Sequence, residues 1–393
     1  MNLKTGSILF EKRADNIIIP ASTTKVATIL YALHRLKESE LEKKVVADPA
    51  ILKKVSRHYK FSHLNELPPY ILQTDGTTFH ILPYEELSLR SLLYGLLLSS
   101  GNDAANVIAH YIGGGSVEKF VEGMNEYVRS IGCSHTHFKN PHGLHVPGQV
   151  STSREMALIA KEALKYPLVR EIVKTSEYLR PSTNLQNAMT MRQGNRLVTE
   201  GKLHLDEAFG MKTGYTSDGG YCLLACAFDG KRALVASLYN SQEQNDRYHD
   251  AIEMFTKAFE EKPESRRLFN SEDVFVISLS EKCKVKVRLE RPVEWEEFAS
   301  EKPKLTTQLS PFVTDAMVIK KGEHIANLLL FANDTYSESF PLYATEEMRP
   351  PLLKLYKKQL VWFSLALLMV LSWMVATARK ASRRQPGVTR RDA

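Results

Sequence analysis

Between residues 22 and 36 the apolar side chains Val26, Ile29, Leu30, Leu33 and Leu36 recur at helical spacing. They share one face, which predicts a helix laid against a core. A second helical run, "EELSLRSLLYGLLLSS", is stopped by Gly101, and a third, "AANVIAHYI", follows with Asp103 placed to cap it. Near residue 208 the texture changes. "GYCLLACAFDGKRALVASLYN" holds two β-rich runs joined by Asp229-Gly230, the strongest short hairpin signal. Beyond "EKPESRRLFNSED", the short alternating runs "VFVISL", "CKVKVRL", "AMVIKK" and "ANLLLFA" predict a small all-β domain over about residues 270–345. The expected class is α+β, a helical cluster on an antiparallel sheet followed by a small β-rich domain. There is no internal repeat.

At 393 residues, with 43% hydrophobic and 25% charged positions, the chain has room for two domains and an ordinary globular composition. Its formal charge of +7 is unevenly placed. From Lys354 onward nine Lys or Arg stand against one acid, a local +8 that leaves −1 for everything before. A near-neutral body removes the main support for a nucleic-acid partner. The basic tail surrounds "LVWFSLALLMVLSWMVATA", residues 360–378, about 28 Å long as a helix and able to span a bilayer. Lys354, Lys357 and Lys358 precede it, and Arg379, Lys380, Arg383, Arg384, Arg390 and Arg391 follow. The positive-inside rule then predicts a C-terminal transmembrane helix with a cytoplasmic tail and the body outside. The expected division is 1–262, 263–349 and an anchor over 350–393. The opening "MNLKTGSILFEKRADN" lacks the apolar core of an export signal, so a missing natural start is expected. Cys133, Cys222, Cys226 and Cys283 have neither zinc-site nor redox-motif spacing, and all four are expected as free, small core residues.

Three short stretches carry chemistry. In "PASTTK", Ser22 and Lys25 stand three apart at a helix start, so the amine can sit over the hydroxyl. A serine needs a base to become a nucleophile, and a lysine can serve if burial, the helix dipole and a second cation lower its pKa. The pair alone is weak, because Ser116 and Lys119 repeat it at an ordinary helix start. "SSGNDAAN" adds Ser100-Gly101-Asn102 between two helices, and "FGMKTGYTSDGGY" adds Lys212-Thr213-Gly214 at the hairpin. Each has a decoy, Ser182-Thr183-Asn184 and Lys4-Thr5-Gly6. Order and setting discriminate: helix start, inter-helix loop and sheet edge is the arrangement of penicillin-binding proteins and serine β-lactamases.

Together these stretches resemble the low-molecular-mass penicillin-binding proteins of the D-alanyl-D-alanine carboxypeptidase family. "HFKNPHGLHVPGQVSTSREMALIA", residues 137–160, resembles a further stretch of that family, and the β-rich region resembles its C-terminal domain. The resemblance implies a penicillin-binding, β-lactamase-like transpeptidase fold over residues 1–262. It implies Ser22 as the acylated nucleophile, Lys25 as its base and Ser100 as an aid to proton transfer. Asn102 would hold the substrate backbone and Lys212 would supply positive charge. Thr213 and Thr216 would bind the substrate's terminal carboxylate, beside Gly214, and the N–H groups of Ser22 and Tyr215 would hold the oxyanion. The implied substrates are peptidoglycan stem peptides ending in D-Ala-D-Ala, with β-lactam antibiotics as acylating inhibitors and no cofactor or metal. His142 and His145 in "HGLH" lack a third ligand in any evident motif, and a structural role is expected for both.

Met1 falls next to the family's first hairpin turn, so the family's first strand and signal are expected to belong to the missing natural start, and residues 44–83 are longer than the family pattern, most simply a surface excursion. Its usual amphipathic anchor is replaced by the uniformly apolar 360–378. A serine β-lactamase is the competing enzyme, without a counterpart of the class A glutamate motif. A non-catalytic wall-binding scaffold is the competing non-enzyme, and the intact Ser22, Lys25 and Lys212 weigh against it.

Overall fold

The computed structural model describes residues 1–280, 283–312 and 318–348. They divide into two units, Met1–Glu264 with Phe298–Pro303, and Ser265–Glu297 with the residues from 304 onward. The apolar run at 360–378 lies outside the described residues. Among the described residues no helix is long and apolar enough to cross a membrane.

In the larger unit the helices are α1 (Thr24–Arg35), α2 (Arg57–Ser62), α3 (Leu89–Leu97), α4 (Asn102–Ile112), α5 (Val117–Ser130), α6 (Ser153–Ala163), α7 (Pro167–Lys174) and α8 (Asp246–Glu260). The stripe on α1 does what its spacing dictates: Val26, Ile29 and Leu30 are buried, and α3, α4, α5 and α6 pack around it. The helix is preceded by a 3-10 turn, Ala21–Thr23, rather than starting at residue 22. Asp103 does not cap α4; it lies in the first turn, with Gly101 before it as N-cap. Its carboxylate instead accepts the backbone N–H groups of Phe79 at 2.8 Å and Ile81 at 3.0 Å. That pins the region after α2 against α4.

Three antiparallel strands, β1 (Ala208–Thr216), β2 (Gly220–Phe228) and β3 (Ala233–Ser241), form a sheet in the order β3-β2-β1. β1 is therefore an edge, in register with Lys212 opposite Leu224 and Thr216 opposite Gly220. The near-continuous apolar run of β2 reflects burial on both faces. Leu224 and Cys226 join the helical core, whereas Leu223, Ala225 and Ala227 join a second core with Tyr248, Ala251 and Phe255 of α8. Alternation of side chains across a strand makes both cores possible. The hairpin turn is closed by the Asp229 side chain, which accepts the N–H groups of Lys231 at 2.8 Å and Arg232 at 2.6 Å. Cys133, Cys222 and Cys226 are free and buried.

In the smaller unit β4 (Glu264–Phe269) pairs with β7 (Val293–Glu297). β5 (Val274–Ser280), β6 (Cys283–Leu289), β8 (Leu305–Pro311), β9 (His324–Ala332) and β10 (Thr335–Ala344) form a sheet in the order β5-β6-β10-β9-β8. The alternation in "CKVKVRL" is realised directly, with Val285, Val287 and Leu289 buried and Lys284, Lys286 and Arg288 exposed. The run expected over 316–321 contributes only a bridge of Ile319 to Met348 among the described residues.

The returning segment Phe298–Pro303 places Glu301 inside the larger unit. There Glu301 accepts from Arg232 at 3.1 Å and from the Asn2 amide at 2.7 Å, all three buried. The Arg232 guanidinium also lies 3.5 Å above the Phe298 ring. Arg232 also pairs with Glu261 at 3.1 Å, so losing Glu301 leaves the buried guanidinium with one carboxylate and the Asn2 amide without its acceptor. Glu301→Ala is expected to destabilise the larger unit by about 2 kcal/mol, measured by urea denaturation, while Glu301→Gln loses less because the amide keeps an acceptor.

Candidate active site

The turn before α1 is held from several sides. Ala21 adopts a left-handed conformation, φ +47°. Thr23 Oγ1 donates to the Pro20 carbonyl at 2.6 Å and meets the Tyr239 hydroxyl at 2.9 Å. Gly143, φ +91°, approaches so closely that a Cβ there would lie 1.9 Å from the Ala21 carbonyl oxygen. On the other side a Cβ on Gly214 of β1 would come within 3.1 Å of the Ser22 nitrogen. Ser22 is thus clamped between a loop and a sheet edge, and its side chain remains partly exposed.

The Lys25 amine is fully buried and has three oxygen neighbours, Ser22 Oγ at 3.0 Å, Asn102 Oδ1 at 2.7 Å and the His142 carbonyl at 2.6 Å. Burial holds its pKa well below the ordinary ammonium value, and the nearby charge of Lys212 pushes the same way against Asp103. A neutral amine has two N–H donors and one lone pair. The amide and backbone carbonyl oxygens can only accept, so they take the two hydrogens and leave the lone pair facing the Ser22 hydroxyl. That is the arrangement a general base requires.

Two loops supply those acceptors. In residues 140–145, Asn140 accepts the Gly143 N–H at 2.7 Å and donates to the Leu144 carbonyl at 2.9 Å. His142 Nδ1 accepts from the Leu144 N–H at 3.1 Å, so Nε2 carries the proton and faces the Tyr70 carbonyl at 3.1 Å. Burial, with Lys60 and Lys25 nearby, keeps this ring neutral. His142 thus frames its own carbonyl for Lys25. In the break between α3 and α4, Ser100 is left-handed at φ +57°, and its carbonyl accepts the Thr77 hydroxyl at 2.6 Å. Asn102 donates its N–H to the Thr77 carbonyl at 3.0 Å. Residues 44–83 are therefore no simple surface excursion: they fix the wall that carries Ser100 and Asn102.

β1 brings the third stretch. Lys212 is buried, its amine 2.9 Å from the Thr213 carbonyl. Burial and then the neighbouring Arg247 lower its pKa to about 7. Thr213 and Thr216 are partly exposed, and Tyr215 is exposed and stacked on Tyr221 with ring centroids 4.4 Å apart. Arg247 of α8 donates to the Gly214 carbonyl at 2.8 Å and the Cys222 carbonyl at 2.9 Å, tying the two strands together under the site. The decoys lie elsewhere. Ser116 caps α5 by accepting the Lys119 N–H at 3.2 Å, Thr183 donates to Glu85 at 2.7 Å, and Thr5 meets Ser7 at 3.0 Å.

Because Gly143 has no room for a side chain and a left-handed backbone, Gly143→Ala must displace the Ala21–Ser22 turn. We expect the reactivity of the Ser22 hydroxyl towards a fluorescent acylating probe to fall by about 100-fold or more, measured by stopped-time gel labelling of folded protein.

A profile of the D-alanyl-D-alanine carboxypeptidase family matches residues 1–243. The D-alanyl-D-alanine carboxypeptidase DacF of Bacillus subtilis (strain 168) is 28% identical over 357 residues, 88% of this chain and 83% of its own. DacC of Escherichia coli (strain K12), carrying the same description, is 30% identical over 259 residues, and the chain spans 60% of its length. Among solved structures, the Streptomyces K15 DD-transpeptidase is similar with a TM-score of 0.57 and 28% identity, over 66% of this chain and 95% of its own. The Francisella tularensis carboxypeptidase DacD shares the fold over 89% of this chain and 92% of its own, with a TM-score of 0.56 and 23% identity.

Proposed function

Since the chain belongs to the D-alanyl-D-alanine carboxypeptidase family, we propose that it removes the terminal D-alanine of peptidoglycan pentapeptide stems through an acyl-enzyme on Ser22. The single observation that carries the reading is the Lys25 amine, buried and 3.0 Å from the Ser22 hydroxyl.

The proposed steps join that geometry to the roles the family resemblance implies for the other residues. Lys25 takes the Ser22 proton as the oxygen attacks the carbonyl of the penultimate D-alanine. The N–H groups of Ser22 and Tyr215 receive the developing oxyanion, and one such fixed donor is worth roughly 3 kcal/mol of barrier. Lys25 then returns the proton, through Ser100, to the nitrogen of the departing D-alanine as the C–N bond breaks. Water, deprotonated by the same amine, hydrolyses the ester and frees Ser22. Asn102 positions the donor backbone. Lys212, Thr213 and Thr216 receive the terminal carboxylate, which explains a requirement for a free C-terminus. A β-lactam would acylate the same oxygen. The near-neutral body and the apolar run 360–378 with its basic flank support a reading in which that run anchors the enzyme and the catalytic unit works on the outer face.

Fluorescent penicillin should label the wild type, with mass spectrometry finding the adduct on Ser22, and should leave Ser22→Ala unlabelled. Label on the Ala variant would end the proposal. The pH profile gives a second check. Lys25 must be neutral, so kcat/KM rises with pH through its lowered pKa. Lys212 must be charged, so kcat/KM falls again as pH passes about 7. In Lys212→Arg the guanidinium stays protonated, so the alkaline limb should move upward by more than one pH unit while the acid limb stays.

A further inference from the structure

Residues 53–63, "KKVSRHYKFSH", carry Lys53, Lys54, Arg57 and Lys60 with no acid between Asp48 and Glu66. In a body that is otherwise near neutral this is a concentrated positive charge, and the fold brings it to the site. Its helix, α2, reaches the loop just after β1. Arg57 contacts the Ser217 hydroxyl and pairs with Asp218 at 3.0 Å, both partners of that pair being partly exposed. On its inner side Phe61 stacks on His145 of the loop that frames Lys25, with ring centroids 6.3 Å apart. Beneath the same helix the Lys60 amine is buried, 1% exposed, and has no hydrogen-bond partner. His145 Nδ1 is buried without a partner as well. A buried ammonium without an acceptor is unfavourable, and it pairs with any carboxylate that reaches it.

The direction of the substrate says which carboxylate that is. β1 is a free edge, and an extended peptide adds to such an edge as a further strand. On the proposed reading the terminal carboxylate sits by Lys212 and Thr213 and the reacting carbonyl by Ser22 and Tyr215. An antiparallel donor then runs upstream past Thr216 towards Ser217, Asp218 and α2. The stem residue just upstream of the D-alanine pair lies about 7 Å beyond the residue that follows it by two, which brings its side chain to the end of β1 where Arg57 stands.

We propose that α2 is a specificity element, in which Arg57 and Lys60 receive a side-chain carboxylate on the stem residue immediately preceding the D-Ala-D-Ala pair. The incoming carboxylate takes Arg57 from Asp218, an exposed and weakly held partner, while the buried, unpartnered Lys60 beneath the same helix adds its positive charge. Stems with a free carboxylate at that residue are preferred over stems in which it is an amide or is replaced by a lysine side chain. This rests on the carboxypeptidase reading.

The test compares kcat/KM of the full chain for two synthetic pentapeptides that differ only in carboxylate against carboxamide at that side chain. Wild type should prefer the carboxylate by about tenfold or more, and the preference should shrink as salt is raised from 50 to 500 mM. Arg57→Gln, at an exposed position that folding tolerates, and Lys60→Met should each bring the ratio of the two peptides to within about twofold. Equal rates in wild type, or a ratio unchanged in both variants, overturn the inference. An enzyme that hydrolyses both peptides equally yet takes a penicillin on Ser22 fails this inference alone. One that neither hydrolyses peptide nor takes penicillin fails the carboxypeptidase reading itself.

Discussion

A lysine amine sealed from water sets the conditions for everything around it in the larger unit. Buried charge is costly, so Lys25 is held as the free amine and needs acceptors for its hydrogens that cannot themselves donate. Asn102 and the His142 carbonyl meet that need at 2.7 and 2.6 Å. Each requires its own support. Asn102 is fixed by Thr77, whose segment is held to α4 by the Asp103 carboxylate. The His142 carbonyl is fixed by a loop whose imidazole is used in one defined tautomer. Much of the polar interior of this unit is scaffolding that keeps one lone pair directed at one hydroxyl.

Three of the nine non-glycine residues with positive φ among the described residues stand at the same place. Ala21, Ser100 and Met211 have φ values of +47°, +57° and +129°, and each lies within or beside one of the three chemical stretches. Non-glycine residues in such conformations cost about 1–3 kcal/mol apiece. The two cores flanking the sheet and the Arg247 bridge between Gly214 and Cys222 hold these turns in shape. Strain at three separate points of one site is a sign that position, rather than local comfort, fixed the backbone there.

The sequence disclosed what depends on local pattern. The stripe of α1 and the alternation at Val285, Val287 and Leu289 follow directly from the spacing of apolar residues, and Lys25 comes within hydrogen-bond distance of both Ser22 and Asn102. What it did not disclose depends on distant partners. Arg247 stands on the buried face of α8 with Tyr248, Ala251 and Phe255. A cation in an apolar stripe was the available clue that it had a buried partner. Asp103 looked like a cap because capping is local, whereas its true partners, Phe79 and Ile81, are more than twenty residues away. Residues 44–83 showed no clean period because α2 has only six residues, too few for a periodic signal, and takes its place from contacts with the 142–145 loop and the turn after β1.

The larger unit is not one continuous stretch of chain, since Phe298–Pro303 returns to it after Ser265–Glu297 has entered the other. During synthesis, therefore, the catalytic body has every residue of its site by 264 but still lacks Glu301, which joins Glu261 as the second carboxylate on Arg232. Its interior is completed only once residue 303 has left the ribosome, by which time four strands of the second unit have already been made. The two units mature as an interleaved pair in time, and a boundary drawn at 264 would separate a buried guanidinium from one of its two carboxylates.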